Sequence, residues 1–325
     1  MLHKLFPFVL LCSSALAETH RVIAATYHHT FSAAHPVLLR VRPGDSIVTK
    51  TVDSAGFDHR NVRRTKTHGN PLTGPFYIEG AEPGDALIVR LDRVALNRPN
   101  GYTGRSVGVR DLDESLQAPM PDPDAVIAGY NYLVPWVIDL KRKTARPKDS
   151  APSFSFPARP MLGCIGVAPE GDFSPRSGPA GYWGGNIDYN WIREGTTVLL
   201  PVFHPGGLLF FGDGHALQGD GEAIGSGVET SLDVTITVTL RKRARLTSPR
   251  AETPEFLISI GSKPDANLNQ TLEIALRDML RWLIDEKGMK PAEAHLLIGA
   301  AASLDLVTLG GSTAVRIPRR AAEGR

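Results

Sequence analysis

From residue 37 onward the apolar residues come in short runs broken by turn formers, and the best-defined run alternates. Val228, Leu232, Val234, Ile236, Val238 and Leu240 are separated by Glu229, Asp233, Thr235, Thr237 and Thr239. A period of two puts one set on each face of an extended chain, so 228–240 is predicted as a strand with one buried face. The same alternation assigns Glu229 to the polar face. Pro43-Gly44-Asp45 and Pro83-Gly84-Asp85 each precede a β-branched stretch, which predicts turns that lead into strands at 46–51 and 86–91. Further strands are expected at 75–79 and 130–140, and a hairpin at 196–202 and 206–211. Residues 97–125 and 141–160, rich in Pro, Asn, Asp and basic residues, are predicted as long loops.

After about residue 250 the period changes. Leu268, Leu272, Leu276, Met279, Leu280 and Leu283 recur at helical spacing, with Asn267 placed to cap the start and Gly288 to stop the helix. A second helix is expected from Pro291 to about residue 302, then strands at 304–309 and 314–317. The predicted fold is mainly β: a sandwich- or barrel-like body over 18–250, with a smaller C-terminal α/β portion over 251–325 packed on it.

The first residues are set apart from this fold. One basic residue, an apolar run over 5–14 and the small residues Ala15-Leu16-Ala17 form a signal-peptide pattern, with cleavage expected after Ala17. The run falls short of the roughly 20 residues of a spanning helix, so export to the periplasm or medium is expected, with no membrane association after processing. The remaining chain would hold one cysteine, Cys164, and no intramolecular disulfide.

Composition agrees with a globular β protein: 42% of residues are apolar, aromatics are 7%, and Gly (32) and Pro (25) are abundant. Lys plus Arg (36) against Asp plus Glu (34) leaves a net charge of +2, too small for a nucleic-acid surface. A small-molecule partner is expected, and a homodimer is entertained as the assembly.

Chemistry concentrates in Gly212-Asp213-Gly214-His215-Ala216-Leu217-Gln218-Gly219-Asp220-Gly221-Glu222. In extended backbone Asp213 and His215 share one side, as do Asp220 and Glu222, and such pairs can converge on a cation. The bland alternative is a solvated glycine-rich loop whose acids make turns. Two neighbours weigh against it: Gly184-Gly185-Asn186-Ile187-Asp188 repeats the glycine-then-acid order, and Gly225-Ser226-Gly227-Val228-Glu229 brings a carboxylate to the head of the strong strand. Asp53 and His68 are further candidates, His68 taken alone being a loop residue. Gly104-Arg105-Ser106-Val107-Gly108 fits the Gly-x-Ser-x-Gly pattern, but Asn97-Arg98-Pro99-Asn100-Gly101 before it does not suit the strand that a nucleophile elbow requires. Cys164 lies among Leu162, Ile165 and Val167, as a packed residue would. The adjacent His28 and His29 point to opposite faces of any strand, and His20 stands apart.

Taken in order, residues 70–85 (Asn-Pro-Leu-Thr-Gly-Pro-Phe-Tyr-Ile-Glu-Gly-Ala-Glu-Pro-Gly-Asp), Gly163 to Pro169, the segment ending at Asp188, the segment around His215, and Gly227-Val228-Glu229 resemble the acetamidase/formamidase family. That resemblance implies hydrolysis of short-chain linear amides to carboxylate and ammonia, a largely β architecture with a smaller α/β portion, and, as in several members, a divalent metal. Two departures are an inserted Tyr182-Trp183 and the export signal, since family members are commonly cytoplasmic. For such a reaction Asp213 and His215 are the first-choice metal ligands, completed by Asp53 or Asp188, and a mixed nitrogen and oxygen set suits zinc. Glu229 or Glu222 is expected to shuttle the proton. Asn186, with Gly185 beside it, is expected to hold the substrate amide or orient a neighbouring carboxylate. The competing expectations are a non-catalytic exported binding protein on the same fold, and a hydrolase of cyclic amides (lactams).

Overall fold

The structure, a computed structural model, describes residues 17–67, 69–108, 113–118 and 133–324. Residues 1–16 of the expected signal peptide, His68, and residues 130–132 of one expected strand lie outside the described residues.

Two sheets form the body. The larger has nine strands in the spatial order Thr19–Arg21, Ser46–Lys50, Leu232–Arg241, Ala86–Leu96, Thr197–Pro201, Arg250–Glu252, Phe256–Ser262, Ser312–Pro318, Ser303–Thr308. The second has six, in the order Ala180–Gly181, Gly184–Asn186, Met161–Val167, Leu209–His215, Leu72–Ile78, Leu39–Val41. One apolar cluster joins them, with Leu87, Val89, Ile236 and Val238 from the first sheet and Phe76, Leu162, Ile165 and Phe211 from the second. Its burial is the main force holding the sandwich closed.

The alternating strand forms over Leu232–Arg241, with Leu232, Val234, Ile236 and Val238 buried. Both Pro-Gly-Asp turns form, with Gly44 (φ 98°) and Gly84 (φ 89°) in the left-handed region at the third turn position. Asp45 N and Asp85 N close them on Arg42 O and Glu82 O, each at 3.0 Å.

The expected hairpin at 196–211 does not form. Thr197–Pro201 pairs with Ala86–Leu96 and Arg250–Glu252, whereas Leu209–His215 pairs with Met161–Val167 and Leu72–Ile78 in the other sheet. The intervening segment crosses from one sheet to the other, and a side chain at Gly206 (φ 81°) would strike the Tyr77 ring. Both segments are central strands, buried on both faces, so their sequences carry no alternation that would reveal which sheet each joins. The expected strand at 130–140 forms over Val134–Asp139 and belongs to a third, four-stranded sheet, whose other strands, Asn100–Thr103, Thr144–Pro147 and Phe156–Pro157, lie in the two expected long loops. These strands are short and Pro-broken, which hid them.

The helix Leu268–Arg281 starts with a capping box in which Asn267 and Gln270 exchange side-chain and backbone hydrogen bonds. It runs on through a wider π-type turn, Trp282–Glu286, and Gly288 (φ 72°) ends it. The second helix is Pro291–Ala301. Ala275, Met279, Trp282 and Leu283 pack on Leu257, Val315 and Ile317 of the nine-stranded sheet. The C-terminal strands therefore extend the body's own sheet, and the helices cover that extension. Among the described residues no helix is long and apolar enough to cross a membrane.

Candidate active site

Five ionisable side chains meet where the six-stranded sheet abuts the small third sheet. Asp213 and His215 come from the strand Leu209–His215, two positions apart; the backbone at Asp213 departs from the extended form, and the two side chains still approach one another. Asp188 follows the strand Gly184–Asn186, Glu222 ends a 3-10 turn, Asp220–Glu222, and Glu229 is bridged to both His215 and Tyr102. Glycines make the room. A side chain at Gly163 would sit 2.5 Å from Asp188 Oδ1 and 2.6 Å from Asp213 Oδ2, and one at Gly227 would meet the His215 ring at 2.4 Å. Asp188 (φ 49°), Asp213 (φ 54°) and Glu222 (φ 46°) all hold left-handed backbone, an arrangement costly for non-glycine residues that tends to gather at functional sites.

His215 Nε2 lies 3.1 Å from Glu229 Oε1 and 3.7 Å from Asp213 Oδ2. Ligand-type atoms of Asp213, His215 and Glu229 all fall within 4.8 Å of one another, as do those of Asp188, His215 and Glu222. His215, Asp188, Asp213 and Glu229 are buried, yet the carboxylate oxygens Asp188 Oδ1, Asp213 Oδ1 and Glu229 Oε2 have no hydrogen-bond partner. Buried polar atoms left this way cost free energy unless something else satisfies them.

The charges make the same point. Burial and the adjoining Asp213 carboxylate push Asp188 up to about 7. Burial and Glu229 push Asp213 up to about 6, and burial and Asp188 push Glu222 up to about 9. Burial opposes charge on His215, but Glu229 and Asp213 outweigh it and hold the imidazolium well above the usual histidine range. Four acids and an imidazole in one dry place must either retain protons or share a cation. The donor set, one imidazole nitrogen with carboxylate oxygens, fits a divalent metal ion.

A supporting layer fixes the cluster. His215 Nδ1 is 2.8 Å from Gln218 Oε1, and Gln218 Nε2 donates to Asp188 O at 2.6 Å. Asn70 Nδ2 donates to Asp213 Oδ2 (3.0 Å) and to Asn186 Oδ1 (2.7 Å), while Asn186 Nδ2 donates to Asp188 Oδ2. The Cys164 thiol donates to Asn186 Oδ1 at 2.7 Å. Burial, with Asp213 and Asp188 nearby, pushes that thiol well up, so it stays protonated and packed, as its apolar neighbours suggested. Gln218 and Asn70 were not singled out from the sequence. The signals were there: Gln218 lies three residues after His215, and Asn70 opens the 70–85 block.

Asp53 is a correction. Its Oδ2 receives Arg98 Nη2 at 2.5 Å and its Oδ1 accepts from Ala55 N (3.0 Å) and Phe57 N (2.8 Å), so neither oxygen is free to take a ligand. It neutralises a guanidinium that is only 1% exposed. Gly185 is a second correction: it is buried between Ile165 and Ala180 in the six-stranded sheet, and a side chain there would run into Pro179 O at 2.6 Å. Its role is in strand packing. Glu229 stays in the cluster, but its assignment to a polar strand face is corrected, because the alternation begins only at Leu232. Val228 to Ser231 are all buried beneath the third sheet, where Glu229 N donates to Tyr102 O at 2.8 Å. Asp220 turns away from Glu222 and accepts from Asn190 Nδ2 at 2.7 Å.

A cleft of about 560 Å³ opens onto Asp213, Glu222 and Glu229, walled by Asn70, Tyr102 and Asn186. A second cavity, about 480 Å³, reaches Asp188, Asn186 and Glu222 from the other side. Ser106 lines the first cleft on irregular backbone, three residues after the strand Asn100–Thr103, and no helix begins within the described residues up to 108. His28 stacks on His35 at 3.9 Å, His29 bonds Gly69 O, and His20 bonds Asp45, all apart from the cluster.

Against known proteins, the model of the acetamidase/formamidase family matches residues 16–178 and 174–318. The formamidase of Methylophilus methylotrophus is 25% identical over 244 residues, 60% of this chain and 59% of that protein. The acetamidase of Mycolicibacterium smegmatis is 28% identical over 225 residues, 52% of each chain. The chain thus spans little more than half the length of these curated relatives. The crystal structure of an acetamidase from Yersinia enterocolitica matches with a TM-score of 0.79 and 27% identity, covering 96% of this chain and 95% of that one.

Proposed function

The chain belongs to the acetamidase/formamidase family, and from that premise we propose that it hydrolyses a short-chain linear amide to a carboxylate and ammonia, assisted by a divalent cation at the His215 cluster. The observation that carries this reading is the set of three buried carboxylate oxygens, Asp188 Oδ1, Asp213 Oδ1 and Glu229 Oε2, that lack any hydrogen-bond partner beside the His215 ring. His215, Asp188, Asp213 and Glu229 would hold the ion, and its mixed nitrogen and oxygen donors favour zinc. When bound, such an ion supplies Lewis acidity toward a carbonyl and lowers the pKa of water.

The chain's own groups supply the rest. The small cleft admits an amide beside Glu222, whose carboxyl, pushed up to about 9, is protonated at neutral pH and can give its proton to the departing nitrogen. The C–O bond forms from water, the C–N bond breaks, and nitrogen leaves as ammonia. Both ends of the Asn186 amide are engaged, with Cys164 and Asn70 at Oδ1 and Asp188 at Nδ2, so its proposed part is to orient Asp188. The pattern over residues 1–17 supports action outside the cytoplasm, after export.

The test is ammonia release from formamide and acetamide by the purified chain and by His215→Ala. The reading expects a loss of about 100-fold or more in the variant, the scale of a disrupted metal centre. Equal rates would contradict it, and cation binding without ammonia from any small amide would favour the binding-protein alternative.

A further inference from the structure

We propose that the chain carries a second small-molecule site, for an amphipathic carboxylate, between the helix Leu268–Arg281 and the Tyr182-Trp183 pair. A cavity of about 490 Å³ lies there, within the range of about 300–1,000 Å³ typical of ligand pockets.

One wall is aromatic. Phe173 meets Trp183 edge to face at 5.5 Å, and Tyr182 meets Trp183 likewise at 5.2 Å. Phe173 is 49% exposed and Tyr182 36%, so flat apolar surface is left facing water at the mouth. The other wall is one helix face: Ile274, Arg277 and Arg281 are spaced three and four residues apart, which sets them in a row.

The charge at the mouth is unbalanced. Among the described residues Arg277, Arg281 and Lys263 form no ion pair, and Arg281 makes only a 3.4 Å contact with Thr247 Oγ1. Asp278 also lines the cavity, but its oxygens are taken by Arg250 (2.7 and 3.0 Å) and by Ser259 (2.7 Å). Apolar rings on one side and unpaired cations on the other complement a molecule with a ring or short chain at one end and a carboxylate at the other. The cavity shares Lys263 and Pro264 with the one beside Asp188, but none of the five cluster residues lines it, so the site does not depend on the amidase reading.

The full chain is titrated calorimetrically with phenylacetate, with acetate, which lacks the ring, and with 2-phenylethanol, which lacks the charge. One phenylacetate should bind per chain, with acetate and 2-phenylethanol at least about tenfold weaker, the equivalent of losing one good contact. Arg277→Ala and Tyr182→Ala should each weaken phenylacetate about tenfold or more, and Arg277→Lys should restore much of the loss. Both positions are at the surface, and thermal melting confirms that the variants fold. No saturation by about 10 mM phenylacetate, equal binding of acetate, or unchanged binding in both alanine variants overturns the proposal.

Discussion

Gln218 faces His215 with its carbonyl, Oε1 to Nδ1 at 2.8 Å, while its amide nitrogen donates to Asp188 O at 2.6 Å. Because the backbone carbonyl of Asp188 accepts only from the amide nitrogen, Gln218 must turn its oxygen to the ring. Nδ1 then carries a hydrogen in either charge state of the ring, and Nε2 is the nitrogen that faces the acids, able to offer its lone pair once a cation displaces its proton. Partners of this kind fix the tautomer of a ligating histidine. Gln218→Ala is expected to lower divalent-cation affinity about 10–100-fold, measured by calorimetric titration with zinc, with little change in secondary structure by circular dichroism.

Cation binding should release protons. With Asp188 near 7, Asp213 near 6 and His215 held above its usual range, the cation-free cluster carries protons at neutral pH that a cation must displace. Affinity is therefore expected to fall as pH drops below about 7. Titration in two buffers of different ionisation heat at one pH counts the protons released, and no buffer dependence would contradict the assignment.

Asp53 belongs to the fold rather than to the ion. Asp53→Asn leaves Arg98 buried without its counter-charge, and a loss of about 3–5 kcal/mol in urea unfolding is expected. The folded fraction should still bind one cation per chain, whereas loss of the cation with stability intact would restore Asp53 as a ligand.

His28 imposes a pH dependence on stability. Burial first, then neighbouring His35 and His29, lowers its pKa from 6.5 to about 4. Between those values the unfolded chain binds the extra proton, so the stabilising effect is complete above about pH 6.5 and is lost as pH falls toward 4. His28→Gln should flatten the change in urea midpoint between pH 4.5 and 7.5, and an unchanged slope would assign it to other groups.

What the sequence made legible was local. Alternation from Leu232, the two Pro-Gly-Asp turns, and the capping box at Asn267 each need only a few neighbouring residues, and all three formed. Asp213 and His215 were readable as one pair from their spacing of two in a strand, although the left-handed backbone at Asp213 was not. The misreadings needed long-range information. Arg98, 45 positions away, decides the role of Asp53; the separation of Thr197–Pro201 from Leu209–His215 depends on which sheets they join; and the burial of Glu229 comes from a third sheet built of polar, Pro-rich sequence. The supporting amides Asn70 and Gln218 acquire meaning only once Asp188 and His215 are in place.

The most direct measurement is ammonia release from formamide and acetamide by protein stripped with a chelator, dialysed, and titrated back with zinc. Activity should vanish on stripping and return in proportion to bound zinc up to one ion per chain, with His215→Ala neither binding nor recovering. Full activity in stripped protein, verified free of metal by mass spectrometry, would contradict a cation-assisted reaction at His215.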